Sequence, residues 1–225
     1  MSENDDAPAP GRRTQAQRRA ESERRLLEAC AELIVEQGFE STSLADIGRR
    51  AGASHAAVNH RFGSKDELVD RLIDTAAQRY SDRARERIGH LDGLEAVLEL
   101  GTLYLDMVDG ADPLGRVHVL LWSEAIAHTA ERRSAHLDWD RRFRRVVAAL
   151  LRDGITEGNV DPDIDVDEIA LSIVGTLRGI AMQLLLDPET DRVLAQETLR
   201  TLVGDAVGAR SRPRVVRQVR RQASG

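Results

Sequence analysis

A chain of 225 residues with a formal net charge of −6, 41% hydrophobic and 31% charged residues has the balance of a folded protein with room for a sizeable core. The acidic total excludes a protein that coats nucleic acid indiscriminately, but not one that reads a DNA sequence, because that depends on the local field at a docking face. No apolar run is read as approaching the roughly 18–20 residues of a membrane span, and MSENDDAPAPGRR puts acidic and proline residues where a secretory signal needs an apolar stretch. A cytoplasmic protein without membrane contact is therefore expected. The single cysteine, Cys30, excludes an intrachain disulfide and reads as a small apolar residue on a buried helix face. Lys65 is the only lysine, so nearly every cation is arginine.

Residues 1–20 read as a polar, disordered tail without periodicity. Leu26, Leu27, Cys30, Leu33 and Ile34 then recur at the spacing of a helix that buries one face, and Gly38 stops it. Ser43-Leu-Ala-Asp46 resembles a capping box opening a short helix with Leu44, Ile47 and Ala51 inward, which Gly52 ends. Ser54 caps a third helix from His55 to about Arg61, with Val58 and Phe62 on its inner side, and Ser64-Lys-Asp-Glu67 opens a longer fourth helix. Two helices joined across a glycine-containing turn and held against a preceding helix form the trihelical helix-turn-helix plan, placed at residues 21–67.

From residue 68 to 208 every segment still reads helical: 93–108, a helix beginning at Pro113, 132–156, a strongly apolar helix capped by Asp165 and closed by Pro188, and a last helix over 189–207. No alternating strand pattern appears. The fold class is all-α with about nine helices, a helix-turn-helix domain preceding a helical ligand-binding and dimerisation bundle. Residues 209–225 read as a basic disordered tail, with Arg210, Arg212, Arg214, Arg217, Arg220 and Arg221 and no acid among them.

The order Ile47-Gly-Arg-Arg-Ala-Gly-Ala-Ser54, a short helix ending in Phe62, then Gly-Ser-Lys-Asp-Glu-Leu68 resembles the signature of the TetR, or tetracycline-repressor-like, family over about residues 23–72. Glu157-Gly-Asn-Val-Asp-Pro-Asp163 and Leu186-Asp-Pro188 are similar to the pattern of many of its ligand domains. The resemblance implies a dimeric repressor that releases a palindromic operator when a small-molecule effector enters the C-terminal domain, with no cofactor. Carried over by position, Thr42 and Ser43 would meet phosphate, and Ser54, His55, Ala56, Ala57, Asn59, His60 and Arg61 would face the major groove. Lys65 would hold backbone phosphate beside a helix N-terminus. The tyrosine common near the end of this helix is replaced by Asn59 and His60. Asn59 is suited to a bidentate contact with adenine, so operator preference is the chain's own. Arg61 has an alternative partner, an acid of the fourth helix.

Within the bundle Tyr104, Met107, His118, Trp122, Phe143, Arg178 and Met182 are candidate effector contacts, set against the plainer reading that they are core. Arg178 lies in the apolar run from Ile169 to Leu186, where a guanidinium needs an acidic partner or an anionic ligand. The last two long helices are expected to pair with their copies about a two-fold axis. Other readings are a small all-α enzyme, which lacks a phosphate loop, a Gly-x-Ser-x-Gly elbow or a His-Glu-x-x-His motif, and a helix-turn-helix activator without effector. His55 with His60 makes a poor metal pair, and Glu124 with His128 reads as a surface hydrogen bond rather than an acid/base pair.

Overall fold

A computed structural model of the chain describes residues 14–127 and 130–208, the side chains of 127–135 aside. The basic stretch 209–225 and His128 of the Glu124–His128 pair lie outside the described residues. Those residues form nine α-helices and no strand. They divide into two compact units, one ending at Leu72 and one beginning at Ile73, so the division falls inside a helix, five residues beyond the expected 67.

The first unit contains α1 (Gln15–Gln37), α2 (Leu44–Ala51), α3 (His55–Phe62) and the start of α4 (Lys65–Ile88). α1 begins well before residue 21, so the expected tail is too long. The reason is a capping box that apolar periodicity does not register: Thr14 N–H donates to Gln17 Oε1 at 2.8 Å and Gln17 N–H to Thr14 Oγ1 at 3.2 Å. Farther along, Arg24 bridges Glu21 and Glu28, each at 2.7 Å, holding together turns that have nothing apolar to bury. Leu26, Leu27, Cys30, Leu33 and Ile34 are buried, as are Phe39, Ile47, Val58, Phe62, Leu68 and Leu72, the apolar positions of the three-helix plan.

The turn between α2 and α3 depends on two glycines. Gly52, at φ 69° and ψ 33°, takes the left-handed conformation that ends α2. A Cβ on Gly48 would lie 2.9 Å from the Ala53 carbonyl oxygen and 3.2 Å from Val58 Cγ2, so α3 crosses α2 at a distance only glycine permits.

The second unit holds the remainder of α4 and α5 (Gly93–Asp109), α6 (Pro113–Ala127), α7 (Ala130–Glu157), α8 (Val166–Leu186) and α9 (Arg192–Gly208). α5 is its axis. It packs against α6, α7, α8 and α9 and buries Val97, Leu100, Leu103, Leu105 and Val108, the all-round apolarity of a helix enclosed by others. The Tyr80 hydroxyl of α4 donates to the Leu100 carbonyl at 2.8 Å. α9 starts at Arg192 rather than 189, because residues 187–190 form a turn closed by Thr190 N–H to Asp187 O at 3.0 Å and Asp191 then accepts from Val193 N–H at 2.7 Å.

α8 corrects the expectation that no segment approaches a membrane span: Val166–Leu186 is long and apolar enough by length and composition. Arg178 and the small residues Ser172, Gly175 and Gly179 break its run to the eye but not on average. Asp165 caps it, accepting from Asp167 and Glu168 N–H at 3.1 Å, and Ala170, Ile173, Val174, Leu177, Ala181 and Leu184 are buried. Its other face exposes Leu171 and Leu186, and α9 exposes Leu194 and Leu202.

Candidate functional site

α3 sorts its residues by side. Val58, fully buried, and Phe62 anchor it to the core of the first unit, while His55, Ala56, Ala57, Asn59 and His60 are exposed. Ser54 caps it, its hydroxyl accepting from Ala57 N–H at 3.2 Å. The outer face thus begins with two methyl-sized residues and ends with an amide and an imidazole, a profile that lets a helix sit close to base edges and offers donors and acceptors there.

The flanking candidates differ more from expectation. Thr42 is 2% exposed, and its hydroxyl donates to the Gly38 carbonyl at 2.9 Å, so it braces the α1–α2 corner instead of facing phosphate. Ser43 is exposed; its hydroxyl donates to Asp46 Oδ2 at 2.5 Å and accepts from Asp46 N–H at 3.2 Å. The bonds from Ser43 and Arg49 hold the Asp46 carboxyl below its ordinary range. Lys65 Nζ donates to the Phe39 carbonyl at 2.9 Å and stands 3.9 Å from the centre of the Phe39 ring, stapling the first turn of α4 to the chain after α1. Arg61 turns to α1, not to an acid of α4: Nη1 donates to the Arg19 carbonyl at 2.9 Å and lies 3.8 Å from Glu23. Cys30 is fully buried, and loss of solvation pushes its thiol up to about 12, which leaves it un-ionised at neutral pH.

In the second unit an aromatic and polar cluster gathers around Trp139. Its ring stacks on Phe143 at 5.1 Å and meets His118 at 4.3 Å, and His118 lies 6.0 Å from His136. The Arg178 guanidinium sits 4.5 Å from the Trp122 ring centre and 5.4 Å from that of Trp139. Its acidic partner is Asp140, with Nη2 2.7 Å from Oδ1, while Arg144 Nε approaches the other oxygen at 3.0 Å. Burial lowers the Arg178 pKa, opposed by Tyr104 and Asp140. Burial likewise pulls His118 down to about 3, helped by His136 and Arg178, and His136 down to about 4, helped by Arg178.

Several cavities flank this cluster, among them one of about 230 Å³ bounded by Tyr80, Leu100, Trp139 and Phe143. Tyr104, Met107 and His118 line one of about 20 Å³, room for about one water. Trp122, Ala125, Ile126, His136, Leu137 and Asp140 line another of about 200 Å³. Of the residues expected to face an effector, Tyr104, Met107, His118, Trp122, Phe143 and Arg178 come together, whereas Met182 is 45% exposed on the outer side of α8. Spacing on α8 explains the difference, since Met182 falls on the stripe of Leu171, Gly175 and Gly179. His136, Trp139 and Asp140 were missed as site residues. Only the need of Arg178 for an acid pointed toward Asp140, and nothing in sequence selected it among the acids of α7.

Residues 26–72 match the model of the bacterial regulatory proteins of the tetR family, and residues 93–209 match the C-terminal domain of the BetI-type transcriptional repressors; the second match alone spans more than half of the chain. The HTH-type transcriptional repressor KstR2 of Mycobacterium tuberculosis is 29% identical over 147 residues, 63% of this chain and 70% of that protein. The HTH-type transcriptional regulator CymR of Pseudomonas putida is 26% identical over 197 residues, 82% and 89% of the two. Among solved structures, full-length TylP, a TetR regulator from Streptomyces fradiae, superposes with a TM-score of 0.68 at 25% identity, covering 84% of this chain and 88% of that one. A putative transcriptional regulator from Saccharomonospora viridis in complex with choline gives 0.73 at 24% identity, covering 82% and 96%. The relatives named are regulators of transcription, not enzymes. With both family models matched in chain order on a helix-turn-helix unit and a helical bundle, the chain belongs to the TetR family of bacterial transcriptional regulators.

Proposed function

We propose that this chain is a cytoplasmic, homodimeric repressor that holds a palindromic operator through α3 and lets it go when a small molecule enters the second unit. The observation that carries the reading is the division of α3, with Val58 and Phe62 buried and His55, Ala56, Ala57, Asn59 and His60 exposed. Ser54 at the start of α3, the N–H bonds of Lys65 not given to Phe39, and Ser43 once its hydroxyl turns from Asp46 to the DNA are the phosphate contacts; Asn59 and His60 read bases. Arg61 serves by holding α3 to α1, and Thr42 by bracing the corner before α2.

The second copy docks on α8 and α9, where Leu171, Leu186, Leu194 and Leu202 remain exposed and Gly175 and Gly179 allow close approach. That partner, not lipid, covers the apolar face of α8. Two α3 helices related by the dyad then meet half-sites about 34–36 Å apart. Effector acts by binding one arrangement of the dimer better than the other; a ligand without such preference changes nothing. Choline in the Saccharomonospora viridis structure is a cation, and the buried Arg178 of this chain opposes one.

Selection of bound sequences from a random DNA pool tests the reading. An inverted repeat with half-sites one helical turn apart, whose binding weakens steeply with salt, is the expected result. Recovery of no sequence above background at low salt overturns it.

A further inference from the structure

The cluster around Trp139 is short of negative charge and rich in unused donors. Arg178 and Arg144 share the one carboxylate of Asp140, which leaves one positive charge over among the described residues of the cluster. Arg178 Nη2 is close to Oδ1 but without hydrogen-bond alignment, so Nε, Nη1 and Nη2 are all buried without an acceptor, as are both ring nitrogens of His118 and Nδ1 of His136. Arg178 and His118 are each 6% exposed and His136 is 5% exposed. Leaving several such groups unmatched is costly, and structural ion pairs normally match them in full. The cavity of about 200 Å³ walled by Trp122, Ala125, Ile126 and Leu137 is also lined by His136 and Asp140; Arg178 stands against its Trp122 and Asp140, and His118 lies 6.0 Å from its His136. Of its walls, Ile126 is 62% exposed and Leu137 38% exposed.

We propose that the effector is an organic monoanion, a carboxylate on an apolar body, whose carboxylate accepts from Arg178, His118 and His136 while its body fills the space between Trp122, Ile126 and Leu137. One surplus charge calls for one negative charge, which separates a monocarboxylate from a phosphate dianion. The neutral imidazoles contribute an N–H each rather than a charge. The walls formed by Trp122, Ile126 and Leu137 select an apolar or aryl body over a small hydrophilic acid. This inference rests on the reading of the second unit as an effector domain and adds the chemistry of what enters it.

Calorimetric titration of the full chain with octanoate, 4-phenylbutyrate and acetate, each beside its neutral amide, provides the test. Octanoate or 4-phenylbutyrate should bind at least about tenfold more tightly than its amide, acetate weakly, and choline not at all. Arg178→Gln should abolish the preference for the acid. Should that variant not fold, Asp140→Asn serves in its place: it increases the surplus charge, so the carboxylate should raise its melting temperature by more than that of the parent chain. Equal binding of every acid and its amide, or an unchanged carboxylate response in both variants, overturns the inference. The same preparations are assayed for DNA binding. Retained DNA binding without carboxylate preference sinks only this inference, whereas loss of DNA binding by the parent chain sinks the functional reading beneath it.

Discussion

Asn59 is the residue whose role can be separated most cleanly from folding, because it is exposed on α3 and a side-chain amide gives adenine two hydrogen bonds at once. Asn59→Ala should weaken binding to the selected operator by about 1–3 kcal/mol and relax preference at one base pair per half-site, with the salt dependence unchanged. Fluorescence anisotropy against single-base operator variants measures both effects; a uniform loss over all variants would assign Asn59 to the phosphate backbone. Cys30 behaves in the opposite manner. With no exposed surface and its thiol raised to about 12, it should resist an aromatic disulfide reagent at pH 7.5 and react stoichiometrically once urea unfolds the chain.

At the scale of helices, the approach of α3 to α2 sets the tolerance for change. Gly48→Ala places a methyl 2.9 Å from the backbone oxygen of Ala53, nearer than a Cβ can stand, so the chain leading into α3 must shift; a cost of about 1–3 kcal/mol is expected. Urea unfolding followed by circular dichroism reads the cost, and DNA affinity should fall with it. Much of this unit was legible beforehand. The core residues Leu26, Ile34, Ile47, Val58 and Phe62 repeat at helical spacing, and Gly52 and Ser54 punctuate the turn. The beginning of α1 was not, because Thr14 to Arg25 bury almost nothing and are held by a cap and by Arg24 with its two glutamates. Individual roles were also harder to read than positions. Thr42 and Arg61 occupy family positions, yet whether such a side chain faces DNA or a neighbouring helix depends on a rotation about the helix axis that spacing alone leaves open. The cluster in the bundle is an extreme case, since Asp140 and Arg178 lie on different helices and meet only once α7 packs on α8.

For the molecule as a whole, pH and assembly offer two further tests. Unfolded histidine takes up a proton near pH 6.5, whereas folded His136 resists until about 4 and folded His118 until about 3. Below 6.5 the unfolded chain therefore binds more protons, and stability should fall as pH drops from about 6.5 toward 4, by an amount on the order of a few kcal/mol. Urea midpoints at pH 7.5, 6 and 5 measure the decline. It should be shallower in His118→Phe, which keeps a ring against Trp139 but does not titrate, and an identical slope would place the acid sensitivity elsewhere. On the proposed pairing of two copies through α8 and α9, Leu171→Glu together with Leu194→Glu should give a folded monomer by light scattering that no longer retains operator DNA at the parent concentration.

The position of Lys65 also decides what a chemist can do with this protein. As the chain's one lysine, it is the sole side-chain amine open to succinimidyl esters, and its ammonium is lodged on the Phe39 carbonyl and ring. Acylation there should proceed slowly and unfasten the first turn of α4 as it does, so the rate of labelling becomes a local gauge of how often that corner opens. Bifunctional amine reagents, by the same token, have almost no purchase with which to join two copies, and covalent capture of the assembly should use carboxylate- or arginine-directed linkers instead.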